Sequence, residues 1–182
     1  MNAGNNTVFG ASGADSITAN SGTNVIDAGT ENDTITLNNG TNSLVAGAGT
    51  DTIFAYSGTN TISADDGDDT ITLSNGTNSV MAGSGADTIT IARGTNAIDA
   101  GTEDDTITSA SGTNTIQAGE GQDNVILNGG DNTVFGASGA DSITANNGTN
   151  VIDAGTENDT ITAASGNNTI TAGEGDDTIR LN

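Results

Sequence analysis

The sequence has no cysteine, no proline, no histidine and no tryptophan, and aromatic residues make up only 2% of it. Each absence removes a class of protein. Without Cys or His there is no disulfide framework and no common zinc ligand set, and thiol chemistry is excluded. Arg93 and Arg180 are the only basic residues beside 24 acidic ones, which gives a net charge of −22. Nothing in such a chain neutralises phosphates, so nucleic acid is not a partner. No run is apolar enough to span a membrane, and no signal peptide stands at the N-terminus. With no His, Cys or Lys, and no acid or serine standing out of the pattern described next, there is no catalytic constellation. The chain reads as a non-enzyme.

What is present is a repeat. Starting at Val8, Ile17, Ile26 and Ile35 and ending at Ile161, Ile170 and Ile179, apolar residues stand nine apart without a slip. Self-similarity at a fixed period is the signature of stacked repeat architectures. The position two residues earlier alternates. In the even units it is Asp15, Asp33, Asp51, Asp69, Asp87, Asp105, Asp123, Asp141, Asp159 and Asp177. In the odd units it is Asn6, Asn24, Asn42, Asn60, Asn78, Asn96, Asn114, Asn132, Asn150 and Asn168. The true period is therefore eighteen.

This pattern predicts an all-β parallel solenoid with 18 residues per coil and about ten coils. It forms a single repeat domain over residues 1–182, made of twenty nonapeptides. Each coil is expected to hold two short strands and two turns, with an Asp edge and an Asn edge. At about 4.8 Å between strands the stack is roughly 48 Å long. In Asp-Thr-Ile-Thr the Ile points inward and the Thr residues outward. Gly and Asn supply the positive φ of the turns. A helix is disfavoured by the recurring Gly and the β-branched load. The core is thin, with one Ile or Val per strand helped by Ala or Leu at the first position of each unit.

The Asp-bearing unit, as in Ala82-Gly83-Ser84-Gly85-Ala86-Asp87-Thr88-Ile89-Thr90 and Ala172-Gly173-Glu174-Gly175-Asp176-Asp177-Thr178-Ile179, resembles the RTX (repeats-in-toxin, hemolysin-type) nonapeptide G-G-x-G-x-D-x-U-x. The resemblance covers the whole chain. It implies a β-roll that binds Ca²⁺ between successive coils, with the ten Asp residues from Asp15 to Asp177 as ligands. Backbone carbonyls of turn glycines such as Gly47, Gly49, Gly83, Gly85, Gly119, Gly121, Gly173 and Gly175 would complete the sites. Charge points the same way. Carboxylates stacked about 5 Å apart repel by roughly 3 kcal/mol per neighbouring pair at an effective dielectric of about 20. Hard divalent cations with six to eight oxygen ligands suit carboxylates and turn carbonyls. Ten rungs leave nine gaps, so about nine ions would bring −22 to about −4.

Two departures from the family pattern matter. The odd units carry Asn where the family carries Asp, so that edge reads as a hydrogen-bonded Asn ladder that binds calcium weakly or not at all. Glu31, Glu103 and Glu157 replace the fourth-position Gly. They either add carboxylate ligands or break their local sites.

Outward-facing Thr forms two parallel files on the Asp-side strands. Thr34, Thr70, Thr88, Thr106 and Thr160 stand in one, and Thr36, Thr72, Thr90, Thr108 and Thr162 in the other. Phe54, Asn124, Ile126 and Arg180 interrupt the array. This T-x-T pattern is similar to the ice-binding face of several antifreeze solenoids, and Thr is also simply a good exposed strand former. A further Thr file, including Thr23, Thr41 and Thr59, is placed on the Asn turn. Phe9, Phe54 and Phe135 occupy outward ninth positions and are candidate lateral contacts between rods. No polar cap closes either end, and Met1 already falls on a repeat position. The two ends are in phase, so copies of the chain are expected to stack head to tail into a filament. The functional expectation is an extracellular or cell-surface calcium-binding structural protein that folds on Ca²⁺ and partners itself. An ice-binding module and a spacer segment of a large RTX adhesin are the alternatives.

Overall fold

The computed structural model describes residues 4–182; Met1 lies outside them. The chain winds into a parallel β-solenoid whose two ten-stranded sheets run the length of the rod. Every strand between the ends of a sheet pairs with the strands eighteen residues before and after it, as in Thr88↔Thr106 and Ile89↔Ile107. There is no helix among the described residues.

The two strands of a coil are unequal, which corrects the expectation of two short ones. The short strands hold four residues, such as Thr88–Ile91. After a first strand at Asn5–Phe9, the long strands hold eight, such as Thr95–Thr102. They begin at the fifth position of an Asn unit and continue through the third position of the following Asp unit. The join between those two units is therefore not a turn. The chain stays hydrogen-bonded to its neighbours across it, with pairing resumed at Gly101↔Gly119 and Thr102↔Glu120. Thr23, Thr41 and Thr59 accordingly begin long strands instead of lying in a turn.

Alternation sets inside and outside. In Thr34–Leu37 the Thr34 side chain is exposed while Ile35 and Leu37 are fully buried. Apolar residues at the eighth position, with Ala, Leu or Ile at the first, fill the narrow space between the sheets as one continuous cluster. Removing that surface from water is the main apolar contribution to stability, at about 25 cal/mol per Å². Phe9 and Phe135 lie on the long-strand face and Phe54 on the short-strand face, where it stacks on Tyr56 at 6.4 Å. The three phenylalanines thus form no common file.

The two Thr files of the short strands are not equally open, which corrects the expectation of a uniform outward array. Thr34, Thr70, Thr88, Thr90 and Thr160 are exposed. Thr36 and Thr162 are only half-buried positions, as are Thr72, Thr106 and Thr108. The reason lies in the cross-strand neighbours. Thr36 and Thr72 flank Phe54, Thr106 and Thr108 lie beside Asn124 and Ile126, and Thr162 lies beside Arg180. Each of those side chains is larger than Thr and covers part of it. Thr90, with Thr72 and Thr108 on its two sides, stays exposed.

Coils approach too closely for side chains at some turn positions. A Cβ at Gly101, whose φ is 114°, would overlap the Gly83 carbonyl oxygen of the preceding coil. Glu31, Glu103 and Glu157 adopt left-handed φ values of 73–74° in place of glycine, so the turn survives the substitution.

Candidate metal edge

Apart from those of the first and last coils, the sixth positions are buried at both edges of the rod, and each edge is a continuous ladder. On the Asn edge each Nδ2 donates to the Oδ1 of the next coil. The ladder runs unbroken from Asn6 to Asn168, for example Asn78 to Asn96 at 2.7 Å. The second amide hydrogen faces the turn: Asn78 Nδ2 also lies 3.3 Å from the Asn75 carbonyl, and Asn114 Nδ2 donates to Ser109 Oγ at 3.0 Å. That bond explains how Ser109 is tolerated in an otherwise apolar file. An Asn amide both donates and accepts, so stacked copies satisfy one another.

On the Asp edge the geometry is similar and the chemistry is not. Each Asp backbone N–H donates to the Oδ1 of the Asp one coil further on, at 2.7–2.9 Å, as in Asp69 to Asp87. That accounts for one oxygen. The other, Oδ2, has no hydrogen-bond partner and is buried in Asp15, Asp33, Asp51, Asp69, Asp87, Asp105, Asp123, Asp141 and Asp159. Asp177, in the last coil, is less buried. A buried polar atom without a partner costs about 1–3 kcal/mol, and more when charged. A file of them marks a place built for something that is not a protein hydrogen bond.

The burden shows in acidity. Burial pushes the Asp69, Asp105 and Asp141 carboxyls up to about 7 and Asp87 up to about 6. The backbone N–H of the preceding coil pulls each of them back down, and the charges of neighbouring acids add to the rise. Asp51, Asp123 and Asp159 move upward for the same leading reason.

In two coils the first position of the Asp unit is closely hemmed in, by the next coil's carbonyl oxygen as well as by the carboxylate. A Cβ at Gly10 would strike Asp15 Oδ2, and one at Gly136 would strike Asp141 Oδ2. The other eight Asp units carry Ala at this position, whereas the Asn units also admit Leu37, Leu73, Ile91 and Leu127 there.

Each coil contributes one rung, and among the described residues no three acidic side chains converge on a point. An ion on this edge would take carboxylates from the row and complete its shell with turn carbonyls. Of the glycines expected in turns, Gly49, Gly85, Gly121 and Gly175 follow the long strands, whereas Gly47, Gly83, Gly119 and Gly173 lie inside them because backbone pairing between coils continues there; all eight have positive φ, from 107° at Gly173 to 144° at Gly175. They form two axial files beside the Asp row.

The three Glu departures neither distort the turn nor turn inward. In glycine-bearing coils the fourth-position N–H donates to the third-position carbonyl of the next coil, as in Gly49 to Asp66 and Gly67 to Ser84, both 2.8 Å. Two of the three Glu side chains take that proton instead: Gly85 donates to Glu103 Oε2 at 2.6 Å and Gly139 to Glu157 Oε2 at 2.9 Å. The Thr156 hydroxyl and the Gly139 amide hold the Glu157 carboxyl below its ordinary value.

The RTX calcium-binding nonapeptide repeat family, in its four-copy form, matches residues 2–35, 36–71, 54–89, 92–125, 108–143, 126–161 and 153–181. The chain belongs to that family. No curated protein matches it. Membership makes this RTX chain a β-roll of calcium-binding repeats, and the file of unpartnered carboxylate oxygens fits such an ion.

Proposed function

We propose that this RTX chain is an extracellular structural rod that folds on meeting calcium and then stacks on copies of itself. The observation that carries the calcium half is the file of buried Oδ2 atoms without partners. Asp15 through Asp177 would hold the ions, with backbone carbonyls of Gly49, Gly85, Gly121 and Gly175 in the turns and of Gly47, Gly83, Gly119 and Gly173 near the ends of the long strands. Calcium supplies divalent positive charge to oxygens that have no other counter-charge. In the unfolded chain these residues are scattered, so the free energy of binding is free energy of folding. Where free calcium is low, row repulsion and burial together favour the open, acidic chain. Far-UV circular dichroism in millimolar calcium and after chelation tests this: β signal in the first and coil in the second is expected, and identical β spectra would end the claim.

Stacking draws support from the polarity of both ladders. Asn side chains and Asp backbone amides all donate toward the following coil. A second copy placed after the last described coil would receive the bond from Asn168 Nδ2 on Asn6 Oδ1, and that from the Asp177 amide on Asp15 Oδ1. Electron microscopy after calcium addition reads the outcome, and monodisperse short rods would count against it.

One observation favours a second reading, ice binding. In a chain this acidic, the outward residues of the short strands carry no acid, and Arg180 is their only charge. Thr70, Thr88 and Thr106 align across neighbouring strands, as do Thr72, Thr90 and Thr108. Thr34 extends the first file through Thr52, and Thr160 lies beyond Asn124. The second file is shorter, because Phe54 cuts Thr36 off from Thr72, and Ile126 separates Thr162 from Thr108. The usable lattice is therefore the central block from Thr70 to Thr108, without Thr36 and Thr162. A flat uncharged patch of hydroxyls and methyls suits ordered water. Thermal hysteresis that disappears in Thr88→Tyr/Thr106→Tyr is the expected result; no hysteresis in the parent rod rejects the reading.

A further inference from the structure

The acids outside the Asp row are not spread evenly around the rod. All except Asp131 lie on one flank, between the ninth position of the long strands and the fifth position of the Asp units, while Arg93 and Arg180 lie on other faces. Along that flank runs a file of ninth-position side chains. Its apolar members are exposed: Phe9 by 71%, Val45 by 39%, Met81 by 54% and Phe135 by 40%. Each is the cross-strand neighbour of an aspartate. Asp27 sits between Phe9 and Val45, Asp99 beside Met81, and Asp153 beside Phe135. Next to the file the chain carries almost no side chain at its second positions, which leaves a hollow of about 250 Å³ walled by Gln117, Phe135 and Asp153 over Ala137 and Gly155. A second hollow of about 190 Å³, lined in part by Met81, Asp99, Gln117 and Phe135, adjoins it.

We propose that this ledge docks an extended polypeptide bearing arginine or lysine at spaced positions. An apolar side chain next to a carboxylate receives such a residue at two points, with the aliphatic stem on the apolar group and the charged head on the acid. A guanidinium also stacks on the face of Phe135. Other occupants fit less well. A wholly apolar partner would bury Asp99 and Asp153 unpaired. An anionic partner, including a second copy with its net charge of −22, meets like charge along the flank.

Spacing narrows the ligand. From Met81/Asp99 to Phe135/Asp153 is three coils, roughly 14 Å at the strand spacing. An extended chain covers that in about four residues at roughly 3.4 Å each. From Asp27 to Asp99 is four coils, roughly 19 Å, or about six residues. Both steps are even, so the basic residues fall on one face of an extended peptide.

The test uses two fluorescein-labelled 14-residue peptides of serine and three arginines, with arginine at positions 2, 6 and 12 in one and at 2, 5 and 10 in the other. Anisotropy titrations are run against the folded rod in calcium at physiological salt. The first peptide is expected to bind roughly tenfold tighter, two extra paired side chains giving about 1.4 kcal/mol. Met81→Ser/Phe135→Ser, which leaves every charge in place and alters only exposed side chains, is expected to erase that preference. Asp131→Asn, off the flank, is expected to leave it intact. Equal binding of the two peptides, or a Met81→Ser/Phe135→Ser rod that still prefers the first, overturns the proposal. The outcome is independent of whether the Asp row holds calcium, because circular dichroism reports separately that the rod is folded.

Discussion

The two edges of this rod form a near-isosteric comparison, one amide ladder against one carboxylate ladder. Asn and Asp have almost the same shape, sit at the same repeat position and are buried alike. The Asn edge closes on itself, because every side chain donates to the next and accepts from the last. The Asp edge has only acceptors. It borrows one backbone proton per rung and leaves the second oxygen without a donor. One edge is complete as a protein, and the other is completed by a proton or a cation. Exchanging an oxygen for an NH₂ every eighteen residues thus separates the part of the coil that is always structural from the part that is conditional.

The largest effect that sharpens this comparison is global. Without divalent cations the row must either stay protonated or carry buried charge. The carboxyls with raised values bind protons more tightly folded than unfolded, so they favour the fold at low pH and the advantage is lost as pH rises through their folded values. Those values are about 6 for Asp87 and about 7 for Asp69, Asp105 and Asp141. Chelated protein is expected to show β signal at pH 5 and to lose it between pH 6 and 8, while calcium restores it at pH 8. Circular dichroism against pH, with and without calcium, checks this; a pH-independent chelated fold would erase the difference between the edges.

Next in size is conversion of one edge toward the other. In Asp69→Asn/Asp87→Asn/Asp105→Asn, three central rungs lose their charge. Four gaps border these rungs, so calcium bound per chain is expected to fall by about four ions. Chelated protein should gain stability at pH 8, since the buried charge has gone. Calorimetric titration and melting under chelation read the two quantities. Unchanged calcium uptake would place the ions elsewhere.

Much of this comparison was legible before any coordinates. The apolar eighth position fixed which side chains point inward, and the Asp/Asn alternation fixed the eighteen-residue coil with its two edges. The inequality of the strands was not legible. Gly101 and its equivalents look like turn residues, and only backbone pairing between coils shows the strand continuing past them. The orientation of the carboxylates was not legible, because Ala or Gly at the first position of every Asp unit is also what a narrow core requires. The behaviour of Glu103 and Glu157 was open, since a flexible side chain on a glycine-type turn can reach several donors. Its choice of the preceding coil's amide depends on the gap between coils, which the sequence does not encode locally.

The reverse conversion is smaller and opposite in sign. Asn96→Asp keeps the bond received from Asn78 but removes the proton given to Asn114. It also buries a charge on an edge with no row of carboxylates to share a cation. A loss of about 2–3 kcal/mol is expected, in calcium as well as without it. Chemical denaturation in calcium measures it. A variant as stable as the parent that takes up one more calcium would mean that either edge can become a metal edge and that the Asn ladder is not structural.

The smallest expected effect separates the metal edge from its surroundings. Glu157 is exposed, accepts from the Gly139 amide and the Thr156 hydroxyl, and carries one of the charges nearest the row. Glu157→Gln keeps an oxygen acceptor for those donors and removes only the charge. If Glu157 is a clip between coils, its melting temperature in calcium should move by no more than about 2 °C, the scale of an ordinary surface substitution. Calcium stoichiometry should stay unchanged. A lost calcium equivalent, or weakening seen only in calcium, would instead make the carboxylate a ligand. The boundary of the metal edge would then move outward from the buried row to the exposed turn, and the contrast between the two edges would rest on more than the Asp/Asn exchange.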